Sequence, residues 1–369
     1  MVNTITNRQM FFILVLTLSA YSIIPLANRM AETAGTGAWL SLLVTSLIFM
    51  LPLLGIVYLN NLFKGKTVFD YAPKLIGKAG TYLISMYYVL FFLLFLFYLV
   101  LEVGVVLNAD FFPETPLWII GFICIPVFCY ISNKGITTVA RLCEVIGMIF
   151  IITGILVHVL MITQGKLNRI LPLFSSAEIE NYVRGIKPAI LPFIPMSLLL
   201  TIPFAKQNGK KSTKTAVLTI LFLVFFYVLV VESCIMKVGL NDIVNYKDSL
   251  IVAIRDTAPT FFEFFTRLDI LYLTVGMTGL FMGVIVIMTV ILEFVCRMFA
   301  QVKRSVISIA LGVMTFSAYL ILIGISDFDI FILDIEPYLV FVSAMLIPSI
   351  LLIVAKLKKV GKQGKRHAV

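Results

Sequence analysis

Charged residues are scarce in this chain of 369 amino acids: 13% are Asp, Glu, Lys or Arg, about half of what a soluble domain carries. Long polar stretches are few, with 61% of residues hydrophobic and a mean hydropathy of +1.07. Composition of this kind leaves no room for a sizeable soluble domain. The apolar runs are also too long and continuous for a membrane barrel, whose strands are about ten residues of alternating polarity. Histidine occurs twice, and the five cysteines, Cys124, Cys129, Cys143, Cys234 and Cys296, form no CxxC pair. That argues against a disulfide framework or a zinc site. A P-loop G-x-x-x-x-G-K-[ST], a zinc-protease H-E-x-x-H and a hydrolase G-x-S-x-G are all missing from the sequence. Neither enzyme activity nor a metal or other cofactor is expected.

What the chain does have is apolar runs of the length that crosses a bilayer, about 20 residues each. They fall near 9–31, 38–60, 78–107, 116–132, 143–163, 186–206, 213–236, 268–299, 305–325 and 335–355. The expected fold class is an all-α polytopic membrane protein with ten transmembrane helices. One transmembrane domain covers 1–355, followed by a basic cytoplasmic tail at 356–369. Counting loops alternately puts most of the 29 Lys and Arg on one side, among them Arg8, Lys64, Lys134, Arg141, Lys210, Lys303 and the cations from Lys356 to Arg366. The other side holds nearly all the acids, including the Asp110/Glu114 loop. By the positive-inside rule both termini are cytoplasmic. The net charge of +10 is then a topology signal, and no basic face with interleaved aromatics marks a nucleic-acid surface. The tail reads as an anchor on the lipid bilayer, a regulatory lipid switch being the other reading. No small-x-small cleavage signal follows the first run, so it is expected to be a retained span. Two outward loops exceed a turn, at 165–187 and 237–267. The second carries an amphipathic stretch from Asp248 to Phe265, interrupted at Pro259, which suits a surface helix or lid as well as a plain connector.

Two spans carry prolines where a helix should be regular. Pro25 cannot donate to the carbonyl of Tyr21, which weakens span 1 there. In span 6, Pro192 frees the carbonyl of Pro188 and Pro195 that of Leu191. An orphaned carbonyl in hydrocarbon survives only where protein, water or a ligand supplies a partner. A simple kink would account for Pro25 alone; the three prolines of span 6 exceed what a kink needs. Span 6 opens the second set of five spans as span 1 opens the first, and an odd number forces the second set to insert upside down. The long spans 3 and 8 also correspond. The expected arrangement is a 5+5 inverted repeat, about 9–163 and 186–355, with broken helices 1 and 6 facing each other at the midplane.

The stretches Gly35-Thr-Gly-Ala-Trp39-Leu-Ser41, Thr67-Val-Phe-Asp-Tyr71, Leu75-Ile-Gly-Lys78, Gly135-Ile136 with Arg141 and Glu144, Ile170-Leu-Pro-Leu-Phe174 and Arg267-Leu-Asp269 resemble the membrane permease-like subunit of bacterial spore germinant receptors. The resemblance runs over nearly the whole chain. It implies membership of the amino acid-polyamine-organocation transporter superfamily and an inner spore membrane location. It also implies recognition of a small-molecule nutrient germinant and partnership with a larger membrane subunit and a lipoprotein subunit.

Neither break contains an ionisable side chain, so an amino-acid ligand would have to meet backbone dipoles. The turn at Ser19, Tyr21, Ser22, Ile23, Ile24 and Pro25 offers free N–H and C=O groups for its carboxylate and ammonium. The rest of the expected pocket is Phe193, Ile194 and Met196 on span 6, Tyr98, Leu101 and Val105 on span 3, and Thr278, Phe281 and Met282 on span 8. That lining favours a small or branched apolar side chain. Each of these side chains also has a plain packing reading. Glu102 either lines an outward vestibule or reaches the interface. Glu293 with Arg297, four apart, and Glu144 with Arg141 read as local ion pairs. Glu232 reads as interfacial, and His158 as a hydrogen-bonded core histidine, with a proton relay as the other reading. The function expected is nutrient sensing on a transporter scaffold, in which ligand binding shifts the bundle between conformations. The rival is a proton- or sodium-coupled amino-acid permease.

Overall fold

The computed structural model describes residues 4–203, 209–246, 249–255, 257, 268–299, 301–325 and 328–358. Helix α1 (Asn7–Ala34) starts behind Thr6, whose hydroxyl accepts the amide of Gln9 while the Gln9 side chain accepts the amide of Thr6. A 3-10 turn (Gly35–Gly37) leads into α2 (Ala38–Leu62). Helix α3 (Val68–Asp110) is the longest at 43 residues and bends at Gly77, whose φ of 77° interrupts the helix. That bend divides an opening segment capped by Thr67 and Asp70 from the spanning part. Helices α4 (Leu117–Asn133) and α5 (Ile136–Gln164) follow. The next connection holds 3-10 turns at Leu167–Ile170 and Ser176–Glu178 and a short α6 (Ile179–Arg184). Span 6 begins as α7 (Ile186–Ala189) and continues as a 3-10 helix (Leu191–Leu200). Then come α8 (Gly209–Val238), α9 (Leu240–Ile243), α10 (Ser249–Arg255), α11 (Leu268–Met298) and α12 (Arg304–Ile323). The last span is α13 (Phe328–Val340), a π-helical stretch (Phe341–Leu346) and α14 (Ile347–Leu357).

Every residue from Ile13 to Ser19 is buried, so α1 is enclosed on all sides. It packs against α5, α8, α11 and the 3-10 part of span 6. A helix apolar all round belongs in such a position. Helix α12, at the rim, exposes one face, with Ile309, Val313 and Ile321 turned outward. Among the described residues, seven helical tracts are long and apolar enough to cross a membrane, or eight if the bent pair Ser176–Arg184 and Ile186–Leu200 is one span. This is a multi-pass membrane protein. The expected ten differ from that number partly because α4, at 17 residues, is short of the criterion and because the tract Pro25–Leu62 takes the end of α1 together with α2.

The two expected breaks come out differently. Helix α1 runs from Asn7 to Ala34 with Pro25 inside it, so the break foreseen in span 1 is absent here. One proline removes one N–H, and a helix packed on every side keeps its course across a single lost bond. Span 6 is not α-helical over Leu191–Leu200, a 3-10 run of ten residues, far longer than the three or four usual for that geometry. Three carbonyls at its exit are taken, two of them by partners from other segments. Asn60 Nδ2 of α2 donates to the Leu199 carbonyl at 2.7 Å, the Thr201 hydroxyl to that of Leu198 at 2.6 Å, and the Ile5 amide to that of Pro203 at 3.1 Å. These bonds are what permits irregular backbone at membrane depth. The π-helical stretch, which the hydropathy does not foretell, is served the same way: the Tyr87 and Tyr88 hydroxyls of α3 donate to the carbonyls of Leu339 and Ser343 at 2.7 and 2.8 Å.

Candidate functional site

Gly276 on α11 faces open space; a Cβ there would meet nothing within 4 Å. The space is an apolar cavity of about 30 Å³ bounded by Ile23 of α1, Val106 of α3, Phe150 of α5, Leu250 and Ile251 of α10, and Tyr272 and Gly276 of α11. It has room for one or two water molecules, so an amino acid enters only if a wall moves. One wall is α10. Arg255 at its end pairs with Asp110, where α3 finishes, at 2.7 Å. Just before it, Asn28 Nδ2 of α1 donates to the carbonyls of Ile243, Val244 and Tyr246 at 3.0, 3.1 and 3.0 Å. Of the amphipathic stretch expected as a surface helix or lid, the described part is therefore buried over the bundle. Asp248 and the interruption at Pro259 lie outside the described residues.

Tyr272 also begins a buried polar chain. Its hydroxyl lies 3.3 Å from His158 Nε2, and His158 Nδ1 lies 2.8 Å from Ser233 Oγ. The Ser233 hydroxyl donates to the Val230 carbonyl at 3.0 Å. Ser233 has thus spent its proton, so Nδ1 carries the hydrogen and Nε2 accepts from Tyr272. A neutral imidazole is fully satisfied in this chain, as the core reading of His158 requires.

Of the residues expected to form a pocket, Ile23 borders this cavity. Val105 does not: it is turned away, 41% exposed, because one residue step rotates a helix by about 100° and brings Val106 to the site instead. The same rotation separates Thr278, Phe281 and Met282 from the lining residues Gly276, Met277 and Leu280 of α11. The Thr278 hydroxyl donates to the Val275 carbonyl at 2.7 Å, Phe281 meets Phe128 edge-on at 5.4 Å, and Met282 is buried. Phe193 stacks on Phe49 at 5.3 Å and meets Tyr227 edge-on at 6.0 Å, so it joins span 6 to α2 and α8. Met196, Tyr98 and Leu101 are buried away from the cavity lining. Pro25 is half-buried. Ser19 lies beside Tyr227, and neither hydroxyl closes a hydrogen bond of normal geometry. The side chains of Tyr21, Ser22, Ile24 and Ile194 lie outside the described residues. Glu102 is half-buried one turn from Val106 on the same face of α3. Phe150, Leu250, Ile251 and Tyr272 were not anticipated. The closely spaced Gly276 and Gly279, and the apolar face of the 248–265 stretch, are the signals that point to them.

At the end of the bundle near the chain termini lies a second cavity, of about 480 Å³, lined by Lys66, Asp70, Thr201, Pro203, Glu293 and Arg297. The ion pairs around it are not the local ones expected. Arg297 donates to both Asp70 oxygens at 2.9 Å and to the Thr67 hydroxyl at 2.8 Å, while Glu293 accepts from Arg304 at 2.6 Å. Glu144 pairs with Arg8 at 2.6 Å rather than with Arg141. Spacing of three or four residues permits a local pair, but the packed bundle offers better-aligned partners from other elements. Glu232, expected at the interface, has both carboxylate oxygens shielded and without a hydrogen bond of good geometry, tucked toward the Trp39 amide at the start of α2. Helix α8 packs along α2, which is what withdraws Glu232 from the surface.

The motifs set far apart in sequence meet in space. The Thr36 hydroxyl donates to the Pro172 carbonyl at 2.7 Å, Trp39 Nε1 to that of Leu173 at 2.9 Å, and the Ser41 hydroxyl to that of Tyr182 at 2.7 Å. Between them Gly37 lies against the Tyr182 ring, where a Cβ would stand 1.9 Å from a ring carbon. The Thr67–Tyr71 motif supplies the Arg297 clamp. These residues fasten loops to helices, and none borders the apolar cavity.

A bundle with a 3-10 helical sixth span, a small apolar cavity under α10 and a charged opposite end has the architecture of a transporter-like membrane protein. The chain belongs to the Spore germination protein family, Spore_permease, which it matches over residues 4–328. It is 21% identical over 242 residues to Spore germination protein YndE of Bacillus subtilis (strain 168), covering 65% of this chain and 66% of that one. With Spore germination protein B2 of the same organism it shares 22% identity over 233 residues, 62% of this chain and 63% of that protein. Each match thus takes in a little under two thirds of the relative's length. In fold it is similar to MhsT in complex with L-phenylalanine, with a TM-score of 0.64 at 14% identity over 94% of this chain and 87% of that one. It is likewise similar to a substrate-bound Na+-coupled sialic acid symporter, with a TM-score of 0.65 at 10% identity over 92% and 79% of the two chains.

Proposed function

We propose that this protein is the nutrient-sensing, permease-like subunit of a spore germinant receptor. A small germinant, an amino acid with an apolar side chain, binds in an enlarged form of the cavity between α1, α3, α5, α10 and α11. The observation that carries this reading is the α10 lid over an apolar cavity in a chain of the spore germination family. In the present conformation the cavity of about 30 Å³ is too small for the ligand. Binding therefore selects a state in which α10 has lifted, and the differential affinity for that state becomes the signal. The Tyr21 carbonyl, which Pro25 cannot serve, meets the polar end of the ligand together with the Tyr272 hydroxyl. The receptor's larger membrane subunit and its lipoprotein subunit receive the change, which opens an ion path or is relayed through contact. The location is the inner spore membrane with both termini cytoplasmic, and no enzymatic step is involved. The pocket named from sequence, with Phe193, Ile194 and Met196 of span 6 and Thr278 of span 8, enters this reading as a second layer that rearranges with the first.

The test is a thermal-shift panel of amino acids and sugars on the purified protein, with Gly276→Phe as the blocking variant. Ligand-dependent stabilisation lost in Gly276→Phe, at unchanged expression, supports the site; a response untouched by the substitution rejects it. The fold likeness to an L-phenylalanine complex and to a Na+-coupled symporter supports a second reading, a coupled amino-acid permease. Gradient-driven uptake of labelled amino acid by vesicles holding this chain alone would favour that reading over the receptor.

A further inference from the structure

Helices α4 and α12 run side by side at the rim of the bundle and touch along their length, from Tyr319 on the Leu117 carbonyl to Arg304 on that of Ser132. Gly312 brings them together: a Cβ at that position would stand 2.5 Å from Cys129 Sγ of α4. On the outer side of this seam the two helices bound a groove of about 450 Å³ that extends to both sides of Gly312 and Cys129. Its walls are apolar and face the membrane, with Tyr130 65%, Ile309 65% and Val313 62% exposed.

One end of the groove is chemically unlike the rest. Asn133 and Ser305 line it there, and the side-chain oxygen of Asn133 is shut off from solvent without a hydrogen-bond partner. Lys134, at the end of α4, holds its ammonium 4.5 Å from the ring centre of Tyr130, which anchors the cation beside the groove. Across from it α12 begins. Lys303 occupies the position before its first turn and supplies no side-chain acceptor for the free amides behind it. The guanidinium of Arg304 is engaged by Glu293 at 2.6 Å and by the Ser132 carbonyl at 3.3 Å, so that acid is neutralised inside the bundle. The exposed charge at the mouth of the groove is therefore positive, next to a helix N-terminus that favours an anion.

We infer that the groove between α4 and α12 is a binding site for an anionic phospholipid. One acyl chain lies along Ile125, Ile309, Val313 and Phe316, and the phosphate is held by Lys134, Lys303, the Ser305 hydroxyl and the first amides of α12. An apolar trough with a cationic, hydrogen-bonding mouth at membrane-surface depth matches the two parts of such a lipid. A zwitterionic phospholipid brings its own cation to that mouth, and a free phosphate has no chain for the trough.

The experiment is reconstitution of the full chain in nanodiscs of phosphatidylglycerol mixed with phosphatidylcholine, with retained lipid read by native mass spectrometry after mild extraction. Wild type is expected to retain phosphatidylglycerol over phosphatidylcholine. Lys134→Gln with Lys303→Gln should weaken that retention about fivefold per cation, and Lys134→Arg with Lys303→Arg should restore it. Ile309→Trp, which fills the trough, should exclude both lipids, and added inorganic phosphate should not compete. Equal retention of the two lipids, or a phosphatidylglycerol preference that survives the double Gln substitution, overturns the site. So does a photoreactive side chain at Val313 that captures a protein in place of a lipid.

Discussion

Under α10 lies an apolar cavity of about 30 Å³, closed by side-chain contact, one cross-element ion pair and the three hydrogen bonds of Asn28. At the opposite end a cavity of about 480 Å³ is rimmed by Lys66, Asp70, Glu293 and Arg297. The contrast separates two ways of closing a cavity in a helical bundle. An apolar constriction is closed by shape, so any added volume blocks it and lifting one short helix opens it. A charged constriction is closed by geometry between elements, here α3 against α11 through the Arg297 clamp, and opens when those elements part and water takes over the hydrogen bonds. On the proposed reading, a ligand bound under α10 displaces a wall, whereas parting of the far end breaks charge-assisted bonds.

The largest expected effect breaks the apolar side of that contrast. Gly276→Phe occupies the cavity outright and should abolish ligand-dependent thermal stabilisation, while Gly276→Ala, which meets no atom, should leave it intact. Next, Tyr272→Phe leaves His158 Nε2 without its donor and should lower stability by about 1–3 kcal/mol, read as an earlier thermal transition. Arg297→Ala acts on the charged end. The pair is half-exposed, so the loss is about 1 kcal/mol, and a thiol probe placed at Thr201 should become more reactive as α3 and α11 separate. The smallest effect is at the lid: Arg255→Gln removes a partly exposed pair worth up to about 1 kcal/mol, and ligand exchange should accelerate up to about fivefold with little change in stability. If Arg255→Gln altered stability more than Arg297→Ala, the lid and not the charged end would be the stronger closure.

How much of this was legible in the chain differs by scale. The spans were, because burial in lipid demands long apolar runs whatever they pack against. Span 6 was also legible, since Pro192 and Pro195 remove donors wherever the helix stands; that Asn60 would serve the Leu199 carbonyl, 139 residues away, was not. Pro25 gave the opposite lesson, because one missing donor leaves a continuous helix as allowed as a broken one, and packing of α1 decided it. At the candidate site, Ile23 of α1 borders the cavity, whereas Val105 and Thr278 each stand one residue from a lining position. Hydropathy along an all-apolar helix has no period from which to read its rotation. The ion pairs failed for a related reason. Spacing identifies who can meet on one helix, as Glu293 and Arg297 can, but says nothing of Arg304 or Asp70 arriving from elsewhere.

By itself the sequence determined the solvent, the approximate spans and the points at which a backbone ladder must fail, because hydrophobicity and the missing proline N–H are properties of residues. The tertiary structure alone decided which face of each helix looks inward, which carboxylate each arginine holds, and that α10 folds over Gly276. Those depend on the rotation and approach of whole helices, which are fixed only when all the neighbours are in place.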